Sequence, residues 1–269
     1  MEKIPALTGW SWVKQGFTLF RKQPAEISTL FLAYMFLMLI LGIIPVLGQM
    51  LPLILIPLFS MSFMQACAQI EKGERVYPNL LLIAFRSPAR NTLLKLGLLY
   101  LLAATLVVAA SALADGGTFW KAMMGGGLST QELESAAGSM RIAMLVAAAL
   151  YVPAAMAFWY AAPLIMWQQM SLGKALFYSF FTVRRAGGAF LVYGLAWIVI
   201  AIVVPTVISM VITLATGSFT AVFLILLPIS IMLTVVMYCS FYPTYTTIFG
   251  KPRRGPDSPP LGDNPRSDA

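Results

Sequence analysis

The sequence predicts an all-α polytopic membrane protein, with six transmembrane helices arranged as three hairpins. Three observations predict it. First, 59% of the 269 residues are hydrophobic and 10% are charged, with a mean hydropathy of +0.83, whereas a soluble domain carries about 25% charged residues. Second, the charged residues leave four long stretches bare, at 27–70, 96–114, 142–173 and 186–250. Third, the basic residues fall almost wholly on one side of the implied spans. The spans must be helical, because lipid offers backbone amides no partner outside a helix or a closed barrel. Barrel strands alternate in polarity, and runs such as Leu99-Tyr100-Leu101-Leu102-Ala103-Ala104 do not.

Residues 1–26 read as an N-terminal amphipathic helix. Trp10, Val13, Phe17 and Phe20 recur at helical spacing, Trp12 falls at the edge of that stripe, and Lys14, Arg21 and Lys22 lie mostly on the other side. Aromatic residues beside basic ones suit the lipid-headgroup boundary, although the same pattern fits a cytoplasmic helix packed on the bundle. Thr8 is placed to cap the start.

The transmembrane domain covers 27–250. A span needs about 20 apolar residues, so stretch 27–70 holds two, at 27–44 and 50–70, broken by the turn Pro45-Val46-Leu47-Gly48. The third span is 93–114 and the fourth is 142–167. Between them lies a Gly-rich outside loop, 115–140, in which Ser129-Thr130-Gln131-Glu132 fits a capping box opening a short helix from Thr130 to Ala137. The last stretch holds spans at 189–214 and 219–248, divided at Thr216-Gly217-Ser218. Residues 251–269 are rich in Pro and Gly, and they read as a disordered cytoplasmic tail.

With both termini in the cytoplasm, sixteen of the eighteen Lys and Arg residues lie inside, Lys121 and Arg141 being the exceptions. That bias is the positive-inside rule. The net charge of +8 is then a topology signal, and no nucleic-acid partner is expected. The first long apolar run starts at Ile27 after four basic residues, with no small-x-small site behind it. Span one is therefore expected to act as an uncleaved start signal.

Each hairpin is preceded by a cytoplasmic segment that ends in Arg and then in a helix breaker. The three read Phe20-Arg21-Lys22-Gln23-Pro24, Phe85-Arg86-Ser87-Pro88 and Val183-Arg184-Arg185-Ala186-Gly187. Pro57, Pro163 and Pro243 each sit in the second helix of a hairpin. The echo reads as three copies of one unit, an interfacial helix followed by a hairpin, which would pack with pseudo-threefold symmetry around a central seam. The competing reading is that any cytoplasmic helix before a span looks alike, because Arg and aromatic side chains favour that depth. On either reading the candidate lipid-headgroup residues are Trp10, Trp12, Phe17, Phe20, Arg21, Arg86, Arg184 and Arg185.

The chain has no His, which removes the commonest general base and metal ligand. Cys67 and Cys239 stand alone in the sequence and form no close-spaced metal motif. No span core carries the charge that a proton relay would need. No catalytic, cofactor-binding or metal-binding residue is assigned, no cofactor is called for, and an enzyme is not expected. The remaining polar candidates are Gln65, Gln69, Asn91, Gln168 and Gln169, whose amides can bond across helices for about 0.6–2 kcal/mol. Ala110/Ala114 and Ala157/Ala161 are small pairs that would let helices approach closely. Seven prolines, from Pro52 to Pro243, would bend spans and either open cavities or improve packing.

The N-terminal run Gly9-Trp10-Ser11-Trp12, the step Phe17…Phe20-Arg21-Lys22-Gln23-Pro24 and Ile44-Pro45-Val46-Leu47-Gly48 resemble a family of uncharacterised proteobacterial six-helix inner-membrane proteins. The resemblance covers the body to Gly250. More distantly the layout resembles the membrane domain attached to some glycerophosphodiester phosphodiesterases, without their His-bearing catalytic domain. The resemblance implies a bacterial inner-membrane location and carries over no site residues. The expected role is a non-catalytic envelope scaffold or assembly factor, with membrane lipids and other inner-membrane proteins as partners. The alternative is a small transporter, channel or lipid-handling protein that uses the seam between hairpins.

Overall fold

A computed structural model describes residues 4–45, 47–124 and 130–252, and among them every regular element is helical. The helices are α1 (Thr8–Lys22), α2 (Pro24–Gly42), α3 (Leu47–Lys72), α4 (Ile83–Arg86), α5 (Arg90–Asp115), α6 (Thr118–Met123), α7 (Thr130–Phe158), α8 (Ala161–Gln168), α9 (Leu172–Arg185), α10 (Gly187–Thr216) and α11 (Phe219–Phe249). Six stretches are long and apolar enough to cross a membrane: α2, most of α3, α5, Ser135–Gln168, α10 and α11. Ser129 of the expected capping box, the Glu132 side chain and the tail from 253 onward lie outside the description.

Local chemistry sets the boundaries. Pro24 opens α2 at its first position, where a missing N–H removes no intrahelical bond. Left-handed Gly217 (φ 62°) closes α10, and the Ser218 hydroxyl accepts the Ala221 N–H to start α11. Asp115 caps α6, its carboxylate accepting the N–H groups of Gly117 at 2.9 Å and Phe119 at 2.6 Å.

Four details differ from the sequence reading. Thr8 does not cap α1: its own N–H and that of Gly9 bond back to the Pro5 and Ala6 carbonyls, so the helix opens from a backbone turn. The segment before the third span is a 3-10 turn, Pro78–Leu82, plus the single turn of α4, too short to match α1 and α9. The described part of the segment expected as an outside loop is mostly helical, because α6 fills part of it and α7 begins at Thr130 and runs on unbroken to Phe158. The fourth span is broken at Trp159 and Tyr160, between α7 and α8.

The core sits at one end of the bundle. Helix α10 buries only Ala189, Tyr193 and Trp197, all in its first half. Helix α11 buries Val222 and then nothing before Val235, after which Cys239, Ser240, Tyr242 and Tyr245 are all covered. In α2 the buried residues are Ile27, Leu30 and Phe31. Lipid gives no hydrophobic drive for helices to associate, so packing falls where small or polar residues allow close approach. Such residues cluster at this end. Gly9 and Gly16 lie so close to α10 and α11 that an added Cβ would fall on the Ala189 carbonyl and on Ser240. Gly97 of α5 meets the Ile54 backbone of α3 in the same way. Helix α1 and the C-terminal half of α11 therefore pack together, which brings both ends of the described chain to the same end of the bundle.

Candidate functional site

Helix α11 carries a stripe of hydroxyls, Ser240, Thr244 and Thr247, at helical spacing. Each donates to a carbonyl of its own helix, Met237, Phe241 and Pro243 respectively, at 2.7 Å. The hydroxyl proton is thereby used, and the oxygen lone pairs remain to accept from neighbours. Trp12 of α1 donates its indole N–H to Thr247 at 3.0 Å. Trp197 of α10 donates to Ser240 at 3.2 Å, and the Tyr193 hydroxyl reaches the same oxygen at 2.7 Å. Three aromatic side chains from two helices are thus held on one polar stripe inside an apolar medium.

The break in the fourth span has a chemical cause. Pro163 supplies no N–H for the Trp159 carbonyl, and a side chain from α9 enters the ladder one turn earlier. The Ser179 hydroxyl accepts the Tyr160 N–H at 2.9 Å and donates to the Met156 carbonyl at 2.8 Å. Those two backbone groups would bond each other in a continuous helix, so Ser179 replaces one rung. Tyr100 of α5 donates to the Phe158 carbonyl at 3.2 Å. The break places Trp159 and Tyr160 side by side in the interior. The Tyr160 hydroxyl lies against Thr244 and Trp159, yet neither it nor the Trp159 indole N–H has a partner at hydrogen-bonding geometry.

Two grooves flank α7 at this point. One, of about 500 Å³, lies between α3, α5 and α7 and reaches from Trp120 of α6 to Trp159. The Trp120 indole N–H bonds to Ser111, which holds it there. The other, of about 600 Å³, lies between α3, α7, α10 and α11 and extends to Val183 of α9. They share the walls Ser60, Tyr151, Ala155, Trp159 and Phe241. Tyr151 and Ala155 of α7 and Trp159 just past its end follow one another at four-residue intervals, so one row of side chains lines both spaces. Among the described residues, no Asp, Glu, Lys or Arg lines either groove. Both volumes fall within the roughly 300–1,000 Å³ of small-molecule sites.

The candidate residues from the sequence are distributed unevenly. Trp12 faces protein on all sides at 0% exposure, whereas Trp10 is 45% exposed. The buried face of α1 is Gly9, Trp12, Val13, Gly16 and Leu19, rotated from the stripe through Trp10 and Phe17. Phe17 is half-buried and stacks on Trp197 with ring centroids 6.3 Å apart; Phe20 is half-buried too. Arg21, Arg86, Arg184 and Arg185 are exposed. Among the amides, Gln65 accepts the Trp167 N–H at 3.2 Å, joining α3 to α8, and Gln168 donates to the Tyr245 hydroxyl at 3.0 Å, joining α8 to α11. Gln169 donates its side-chain amide to the Met166 carbonyl of its own segment. Gln69 is half-buried and Asn91 is exposed. Cys67 and Cys239, isolated in the sequence, are brought side by side as free thiols in the core.

Sequence reasoning missed Ser179, the α11 hydroxyl stripe and the paired glycines of α1. The hydroxyls had a usable signal: Ser and Thr recurring at helical spacing in a charge-free span favour contact with another helix. Ser179 gave none, because its role depends on a break that lies in a different helix.

A probable inner membrane protein of Burkholderia thailandensis is 41% identical to this chain over 254 residues, covering 92% of this chain and 93% of that one. No family model matches the chain. No solved structure matches it.

Proposed function

The chain belongs to the family of that Burkholderia inner membrane protein, and on this premise we propose that it is a non-catalytic, multi-pass inner-membrane protein that takes a lipid chain into the seam on either side of α7. Its six spans form three hairpins, and both termini face the cytoplasm. The location is supported by the relative's name and by six helices long and apolar enough to cross a membrane. The orientation is supported by the placement of the basic residues, since Lys121 and Arg141 are the only two of eighteen assigned outside.

The single observation that carries the lipid reading is the pair of charge-free grooves meeting at Trp159 and Phe241. A dry, closed centre would have favoured a scaffold. Metabolic labelling with a diazirine-bearing fatty acid tests the reading. After irradiation of native membranes, adducts are expected on groove residues such as Ala104, Ala155 and Gly194. Adducts confined to outward residues such as Leu106 and Ile198 would overturn it.

A scaffold remains the second reading, favoured by one feature. Helix α9 exposes Phe177, Tyr178 and Phe181 at 60%, 50% and 48%, beside a cytoplasmic groove of about 470 Å³ that Arg185 also lines. Recovery of a defined partner from crosslinked membranes, lost on Phe177→Ala with Phe181→Ala, would support that reading over the first.

A further inference from the structure

The two grooves share five wall residues, Ser60, Tyr151, Ala155, Trp159 and Phe241, and so adjoin one another along α7. Ala155 is the small member of the Tyr151, Ala155, Trp159 row and offers the least side-chain bulk in the shared wall, where a flexible chain can cross from one groove to the other. The chemistry of the lining restricts what such a molecule can carry. A phosphate or carboxylate drawn in with its chain would find no cation among the described residues of either lining, and an unpaired charge at membrane depth is strongly disfavoured. A neutral polar end meets suitable partners. Ser60 donates to the Pro57 carbonyl at 2.9 Å, which leaves its oxygen able to accept, and Tyr151 lines both grooves beside it.

We infer that the occupant is an uncharged long-chain lipid whose polar end is a hydroxyl or an ester, of the diacylglycerol class, lying across both grooves. This inference rests on the lipid reading of the seam and narrows it to one lipid class.

Thermal unfolding of the purified full chain in mild detergent tests it, because a ligand bound to the folded state raises the midpoint with concentration. The probes are dioleoylglycerol and dioleoylphosphatidylglycerol, which share acyl chains and differ in charge. Dioleoylglycerol is expected to give a saturable upward shift, and the phosphatidylglycerol none beyond the detergent background. Two variants address the span of the site. Gly194→Leu projects into the α10-side groove at a position where an added Cβ meets nothing within 4 Å, and Ala104→Phe fills the α5-side groove. Each alone is expected to abolish the dioleoylglycerol shift. A saturable shift from the phosphatidylglycerol equal to or larger than that from dioleoylglycerol would overturn the neutral-lipid inference and leave the lipid reading intact. Loss with one variant and not the other would overturn occupancy of both grooves. No shift with either lipid would overturn the inference and the lipid reading together.

Discussion

The hydroxyl of Ser179 stands between the Tyr160 N–H and the Met156 carbonyl, at 2.9 and 2.8 Å, and replaces the rung that would otherwise join them. One side chain of α9 therefore holds open the gap that sets Trp159 against both grooves. Ser179→Ala leaves two backbone groups buried without this partner, at a cost of about 1–3 kcal/mol. Thermal unfolding in detergent is expected to show that loss, accompanied by a change in Trp fluorescence as Trp159 moves. An unaltered midpoint and spectrum would mean that the helix closes its own rung and that the break does not depend on Ser179.

Trp12 is covered on every side and donates to Thr247 across the interface of α1 and α11. Trp12→Ala is expected to destabilise the protein by about 3–5 kcal/mol, the usual cost of removing a buried Trp. Trp12→Phe and Thr247→Val each remove the hydrogen bond at about 0.5–1.5 kcal/mol. The double variant is expected to cost less than the sum of the two, and strict additivity would show that the bond contributes nothing.

Gly9 and Gly16 let α1 seat against α10 and α11, with backbone or Ser240 atoms where a Cβ would go. Gly9→Ala and Gly16→Ala are expected to cost about 1–3 kcal/mol by overpacking, and to expose the N-terminal helix to limited proteolysis. Gly188→Ala serves as the control, because its Cβ would meet only the Ala6 side chain at an ordinary 3.6 Å. Equal proteolysis rates in all three variants would mean that α1 does not depend on close approach.

The orientation is open to a labelling test with little background, because the two native cysteines are fully buried. Lys121→Cys is expected to react with an impermeant maleimide in intact spheroplasts. Lys174→Cys and Lys251→Cys are expected to react only after the membrane is opened. The reverse pattern would invert the topology.

The sequence made the helical class, the number of spans and the Gly217 turn legible, since each follows from charge-free length or from a left-handed residue. The polar bridges were partly legible. Gln65 and Gln168 stood out as amides in apolar surroundings, but their aromatic partners Trp167 and Tyr245 come from helices whose rotation no local pattern sets. The face that α1 turns to the bundle was not legible, because the aromatic stripe through Trp10 and Phe17 drew attention to the lipid boundary. The packing instead follows Gly9 and Gly16, where the absence of a side chain decides the contact. The seam itself was expected only in outline. Its grooves meet at Trp159, beside a break that Pro163 and Ser179 produce together, and those two residues are neighbours only in the folded chain.

The most direct measurement of the central claim is native mass spectrometry of the full chain released from mild detergent, for the natural sequence and for Ala155→Trp. Ala155 lines both grooves, so a large ring there obstructs the seam from either side. The natural chain is expected to carry one lipid-sized adduct that survives the activation needed to strip detergent, and Ala155→Trp is expected to appear bare under the same conditions. The same adducts on both proteins, or none on either, would contradict the account.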